Sequence, residues 1–120
     1  MSRGTITMNK WLIAGLAGIA ACGIARAQSL NSLDASTVTT GGTAITAINA
    51  GHRTKGGWLN NPSTATTPLC INEKGTATTT PGGDVTCIVP GQTYVLAANG
   101  QAVSVVSSDS AHKFSGYGWY

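Results

Sequence analysis

From residue 35 onward, no run of strand-forming residues lasts long before a Gly, Pro or Asn interrupts it. Eight such runs can be marked, at 35–40, 44–49, 57–61, 69–73, 85–89, 93–98, 102–107 and 112–117. Several alternate with period two, as strands with one buried face do. Leu69 and Ile71 face one way and Cys70 and Asn72 the other; Val85, Cys87 and Val89 oppose Thr86 and Ile88. Turn signals separate the runs: Gly41-Gly42, Asn61-Pro62, Pro81-Gly82-Gly83-Asp84, Pro90-Gly91, Asn99-Gly100 and Ser108-Asp109. Asn99-Gly100, set between two apolar runs, is the strongest hairpin signal.

Composition points the same way. Of the 93 residues from Gln28 onward, 36 are Thr, Ser or Gly, which disfavours helix interiors. No stretch there keeps a 3.6-residue period. The expected fold is all-β: a small antiparallel two-sheet sandwich, Ig-like or jelly-roll-like, of about eight short strands over residues 37–120. The core is expected from Ile45, Ile48, Leu59, Leu69, Ile71, Val85, Ile88, Val95, Val103, Val105 and Phe114. Residues 28–36 read as a flexible N-terminal arm, and 76–83 (TATTTPGG) as a mobile loop tip.

Residues 1–27 read as a signal peptide. Arg3 and Lys10 supply the positive start, residues 11–25 an uncharged apolar run, and Ala25-Arg26-Ala27 a small-x-small site that places cleavage before Gln28. The run falls short of the about 20 residues of a membrane span. A second exit is written in Ile19-Ala20-Ala21-Cys22, which resembles a lipobox and would anchor the chain through a lipidated Cys22. Either route implies bacterial export, so the expected location is secreted, periplasmic or cell-surface, with membrane contact only through the leader or the lipidated Cys22.

The formal charge of +3 belongs to this leader. Arg3, Lys10 and Arg26 meet no acid there, whereas Arg53, Lys55, Lys74 and Lys113 balance Asp34, Glu73, Asp84 and Asp109 in the remainder. Nucleic-acid binding is therefore not expected. With Cys22 removed, Cys70 and Cys87 remain as an even pair, which outside the cytoplasm reads as a disulfide. It would close a loop of about 18 residues, worth about 3 kcal/mol in the chain-entropy view. Both cysteines lie mid-run, as a cross-strand bridge requires.

Catalytic and metal signatures are absent: no HExxH, GxSxG, Walker loop or dinucleotide fingerprint occurs in a fitting context, and neither a cofactor nor a metal is expected. The chain does not read as an enzyme. His52 and Arg53, in the basic, glycine-bounded segment 51–56, read either as a ligand contact or as a solvated loop. His112 reads as a strand-edge residue. Trp58 reads as a core residue first and as a contact otherwise. Tyr117, Trp119 and Tyr120 fall within the last four residues beside small neighbours, where rings are poorly shielded. They read either as a cap on one face of the sandwich or as rings that stack on sugars or fill a partner's pocket.

The order of short motifs adds a resemblance. Gly42-Thr43-Ala44, Arg53, Leu59-Asn60-Asn61-Pro62, Leu69-Cys70-Ile71-Asn72-Glu73, Gly75-Thr76-Ala77, Pro90-Gly91-Gln92-Thr93-Tyr94, Ala102-Val103-Ser104-Val105 and Ala111-His112-Lys113-Phe114-Ser115-Gly116 together resemble small β-sandwich modules of bacteriophage and prophage virion-associated proteins, of the decoration or fibre kind. The resemblance implies a fold, not an active site. A signal peptide and a disulfide both depart from that pattern. Two functional expectations follow: an exported, non-enzymatic adhesive module contacting a protein or glycan surface, or a phage-derived virion component, as a homo-oligomer such as a trimer.

Overall fold

The structure is a computed structural model that describes residues 30–120. Residues 1–29, which carry the expected signal peptide and Cys22, lie outside the described residues. Among the described residues ten antiparallel strands form: β1 (Asn31–Ser32), β2 (Thr37–Val38), β3 (Ile45–Ile48), β4 (Gly57–Asn60), β5 (Leu69–Asn72), β6 (Val85–Ile88), β7 (Thr93–Leu96), β8 (Val103–Val106), β9 (His112–Lys113) and β10 (Ser115–Trp119). One sheet has the order β1-β10-β4-β7, the other β3-β8-β5-β6, and β2 and β9 make a short ribbon. The all-β, two-sheet expectation holds, and each of the eight runs contains a strand.

The sheets enclose Val38, Ala47, Ile48, Leu59, Leu69, Ile71, Ile88, Leu96, Val103, Val105 and Phe114. Burial of each Val, Leu, Ile or Phe among them stabilises the fold by about 1.5–3 kcal/mol relative to exposure. A second, smaller cluster lies on the outer face of the second sheet, where Cys70, Val106 and Ala77 pack with Ala44, Val85 and Cys87. Cys70 stands directly opposite Cys87 in the β5–β6 pair, and the two are bonded, with Cα atoms 3.9 Å apart. The bridge is thus the cross-strand staple expected, and it backs the thin core from outside.

Four expectations are corrected. Val95 is 78% exposed, because β7 is an edge strand whose register sends Tyr94 and Leu96 inward and Val95 outward. Trp58 likewise faces outward, since Gly57 and Leu59 take the inward positions of β4. Asn99-Gly100 does not close a hairpin, for β7 and β8 belong to different sheets. Instead Asn99 Oδ1 accepts the Gln101 N–H, while the Asn99 N–H and the Gly100 carbonyl bond Arg53 and Gly51, which turns the dipeptide into an arch between sheets. The described part of the arm is structured. Leu30 exchanges hydrogen bonds with Tyr120, β1 pairs with β10, the Asp34 and Ala35 N–H groups donate to Ala47, and Leu33 packs on the core. The edge of β10 offers backbone donors and acceptors that need partners, and the arm supplies them.

The Thr-rich loop is also tied at its start. Asn72 Oδ1 accepts the N–H groups of Lys74 and Gly75, and the buried Ala77 donates its N–H to Ser104 Oγ at 2.9 Å. The loop thereby lies over the outer cluster beside the disulfide.

Candidate functional site

Strand β10 reverses the usual strand pattern. Ser115-Gly116-Tyr117-Gly118-Trp119 alternates glycine with aromatic residues, and the glycines take the inward positions. Space dictates this. A Cβ on Gly118 would run into the His52 carbonyl, and one on Gly116 into the Trp58 carbonyl, with φ of Gly116 at +141° as a second barrier to any other residue. The large rings are left to point outward. Strand β4 repeats the arrangement, with Gly57 inward and Trp58 outward.

Register then assembles the rings. Tyr117 lies opposite Trp58, and Trp58 opposite Val95, so a row of apolar side chains crosses β10, β4 and β7. Tyr117 meets Trp58 at 5.2 Å between centroids and 68° between planes, and Trp119 at 5.3 Å and 75°. Both are edge-to-face contacts, which aromatic quadrupoles favour over direct stacking. The three rings are half-buried, braced against each other rather than free to rotate. The next row is polar: Ser115, Asn60 and Thr93, also in register. Asn60 Nδ2 donates to the Gln92 carbonyl and to Thr93 Oγ1, which fixes the amide and turns its Oδ1 to the acceptor role.

The remaining candidates fall elsewhere. Arg53 does not reach the surface. It is fully buried at one end of the sandwich, where Nη1 donates to Glu73 Oε1 at 2.6 Å and to the Ala97 carbonyl, Nε to Gln101 O and Nη2 to Glu73 O. Glu73 also accepts from the Ala97 N–H and the Tyr94 hydroxyl. Burial, and then the bond to Glu73, raise the Tyr94 pKa above the ordinary phenol value. Three loops are joined here by the Arg53 guanidinium. Its partner Glu73 carried no sequence signal beyond its charge.

His52 and Tyr120 stack on each other at 4.5 Å with planes 15° apart, away from the aromatic row. His52 Nδ1 donates to Asp34 at 2.9 Å. Burial works against the Asp34 carboxylate, but the Asn49 N–H, the His52 ring and the Ser32 hydroxyl outweigh it and hold its pKa below the ordinary range.

His112 lies on β9 of the two-strand ribbon and is buried. Its Nε2 faces Asn61 Oδ1 and its Nδ1 faces Asp109 Oδ1, each at 2.8 Å. Asn61 Nδ2 donates to the Thr67 and Ile88 carbonyls, so the Asn61 oxygen must accept from the ring. The ring is thus held from both sides, between Asn61 and Asp109. The Thr67 hydroxyl and then His112 hold Asp109 at a pKa of about 2. Thr67, Asn61 and Asp109 tie the ribbon to the sandwich, and sequence reasoning had not connected them. Cys70 and Cys87, bonded to each other, offer no thiol.

Of six contact candidates, the structure thus brings together Trp58, Tyr117 and Trp119, pairs His52 with Tyr120, and buries Arg53. Asn60, Thr93, Ser115 and Val95 join the face unannounced. No protein family, characterised protein or solved structure matches the chain.

Proposed function

We propose that the protein is an exported, non-enzymatic binding module that attaches to a surface through the outer face of the β1-β10-β4-β7 sheet. The observation that carries this reading is the inverted alternation of β10, with Trp58 of β4 turned outward beside it. Strands of a small domain short of core residues would gain from turning their largest rings inward, yet Trp58, Tyr117 and Trp119 point out and the glycines in. Large, rigid, amphipathic rings flanked by Ser, Gly and Asn make adaptable contacts at low entropic cost, as in other recognition surfaces. Export is supported by the leader-like residues 1–27 and by a disulfide that persists in oxidising compartments. The non-enzymatic reading is supported by His112, which is buried between Asn61 and Asp109, and by Arg53, whose guanidinium bonds to groups inside the fold.

The test is adhesion. Labelled protein is incubated with intact bacterial cells and with their purified envelopes, and the retained fraction is compared with that of Trp58→Ala and Trp119→Ala. Retention that falls sharply in both variants, while each still folds and melts cooperatively, is the expected result. Equal retention in all three proteins would remove this face from the contact.

A further inference from the structure

We infer that the aromatic face takes a neutral polysaccharide chain; this rests on the reading of that face as the contact surface. Charge is the first argument. Every side chain in the two rows, Tyr117, Trp58, Val95 and Ser115, Asn60, Thr93, is uncharged, although the described residues carry four cations and four acids. Two rows without a charge give an ionic ligand lying on them no compensation for losing water. A nucleic acid or an acidic glycan is therefore disfavoured, and a neutral one is matched.

The second argument is the pairing of rows. A sugar ring has an apolar face of C–H groups and a rim of hydroxyls. The indoles of Trp58 and Trp119 offer apolar area to the first, and Asn60 Oδ1 with the hydroxyls of Thr93 and Ser115 offers acceptors and donors to the second. A purely apolar protein patch would leave the polar row unused; a sugar needs both. The rings lie on two neighbouring strands, Trp58 on β4 and Tyr117 and Trp119 on β10, which suits a chain lying along the face. The brace between Tyr117 and its two indole neighbours sets the platform before binding, so little side-chain entropy remains to be lost.

The test is a titration of the purified protein with hexasaccharides of β-1,4-glucose, β-1,4-N-acetylglucosamine, β-1,3-glucose and β-1,4-mannose, with hyaluronan and heparin fragments as charged probes. Binding is read by calorimetry and by tryptophan fluorescence. At least one neutral hexasaccharide is expected to bind saturably and independently of salt. Trp58→Ala, Trp119→Ala and Asn60→Ala should each weaken it by about tenfold or more, while Trp58→Phe keeps part of the affinity. Melting curves of each variant identify any that fail to fold, and Trp58→Phe and Asn60→Ala then carry the comparison. The inference is overturned if none of the neutral probes binds, if only the charged probes bind, or if Asn60→Ala leaves affinity unchanged. Should adhesion to cells still depend on Trp58 and Trp119 in any of those cases, the contact face stands and only its glycan chemistry falls. If adhesion ignores those residues as well, the contact face itself is wrong.

Discussion

Tyr117 stands directly opposite Trp58 across the β10–β4 pair, with its ring edge-on at 5.2 Å, on the side of the sheet turned away from the core. An edge-to-face pair of this kind contributes about 0.5–1.5 kcal/mol. Trp58→Ala should therefore lower stability by about 1 kcal/mol, well short of the about 3–5 kcal/mol for deleting a core Trp. Urea unfolding measures the difference. A loss at the core value would mean that Trp58 is a packing residue.

Gly118 faces inward against the His52 backbone, and a methyl group there meets the carbonyl rather than a flexible side chain. Gly118→Ala should cost about 1–3 kcal/mol by overpacking, whereas Val95→Ala on the exposed edge stays within about 0.5 kcal/mol. Thermal melts of the two variants side by side give the comparison.

Arg53 and Glu73 form an ion pair whose arginine side chain is 1% exposed. Removing one partner leaves a buried charge, so Arg53→Ala should destabilise by about 3–5 kcal/mol. Lysine should not rescue it, because an ammonium cannot reproduce the forked bonds to Glu73, Ala97 and Gln101. Denaturant midpoints of Arg53→Ala and Arg53→Lys check both statements.

Acid should unfold the protein in a defined window. Asp109 is held at about 2 and Asp34 below its ordinary value of 3.8. A depressed carboxylate contributes stability that is present above its unfolded pKa and lost as pH falls through its folded value. Stability should thus begin to fall near the ordinary carboxylate range and keep falling toward pH 2, and Asp109→Asn should flatten the lower part of that fall. Asp109 is partly exposed, so added salt should shrink its share. Melting temperature against pH for the two proteins gives the measurement.

Reduction of Cys70–Cys87 should lower stability by about 3 kcal/mol, and so reduce the melting temperature by about 10–20 °C in a domain of this size. An unchanged melt with and without reductant would show that the bridge does not constrain the unfolded chain.

The strands and the bridge were legible because they depend on local pattern: alternation in 69–73 and 85–89 and the punctuation of Gly and Pro between runs. What escaped depends on register. The run 93–98 reads equally well with Val95 in or out, and only its place at the edge beside β4 decides. Asn99-Gly100 carried a hairpin signature, yet the Arg53 backbone captured it, and no local rule sees a residue so distant in the chain. The buried histidine cluster escaped for the same reason, since Asn61, Thr67, Asp109 and His112 meet only once the ribbon folds back. The rings of Tyr117 and Trp119 could be singled out from their small neighbours; that those glycines point inward, and so force the rings outward, appears only with the strand pairing.

The most direct measurement is oxidative footprinting read by mass spectrometry, on the free protein and on the protein bound to its surface. The account predicts that Trp58, Tyr117 and Trp119 react readily in the free protein, that Phe114 does not, and that binding protects those three rings while leaving Tyr120 as it was. Rings as protected as Phe114 before binding, or as reactive after binding as before, would contradict it.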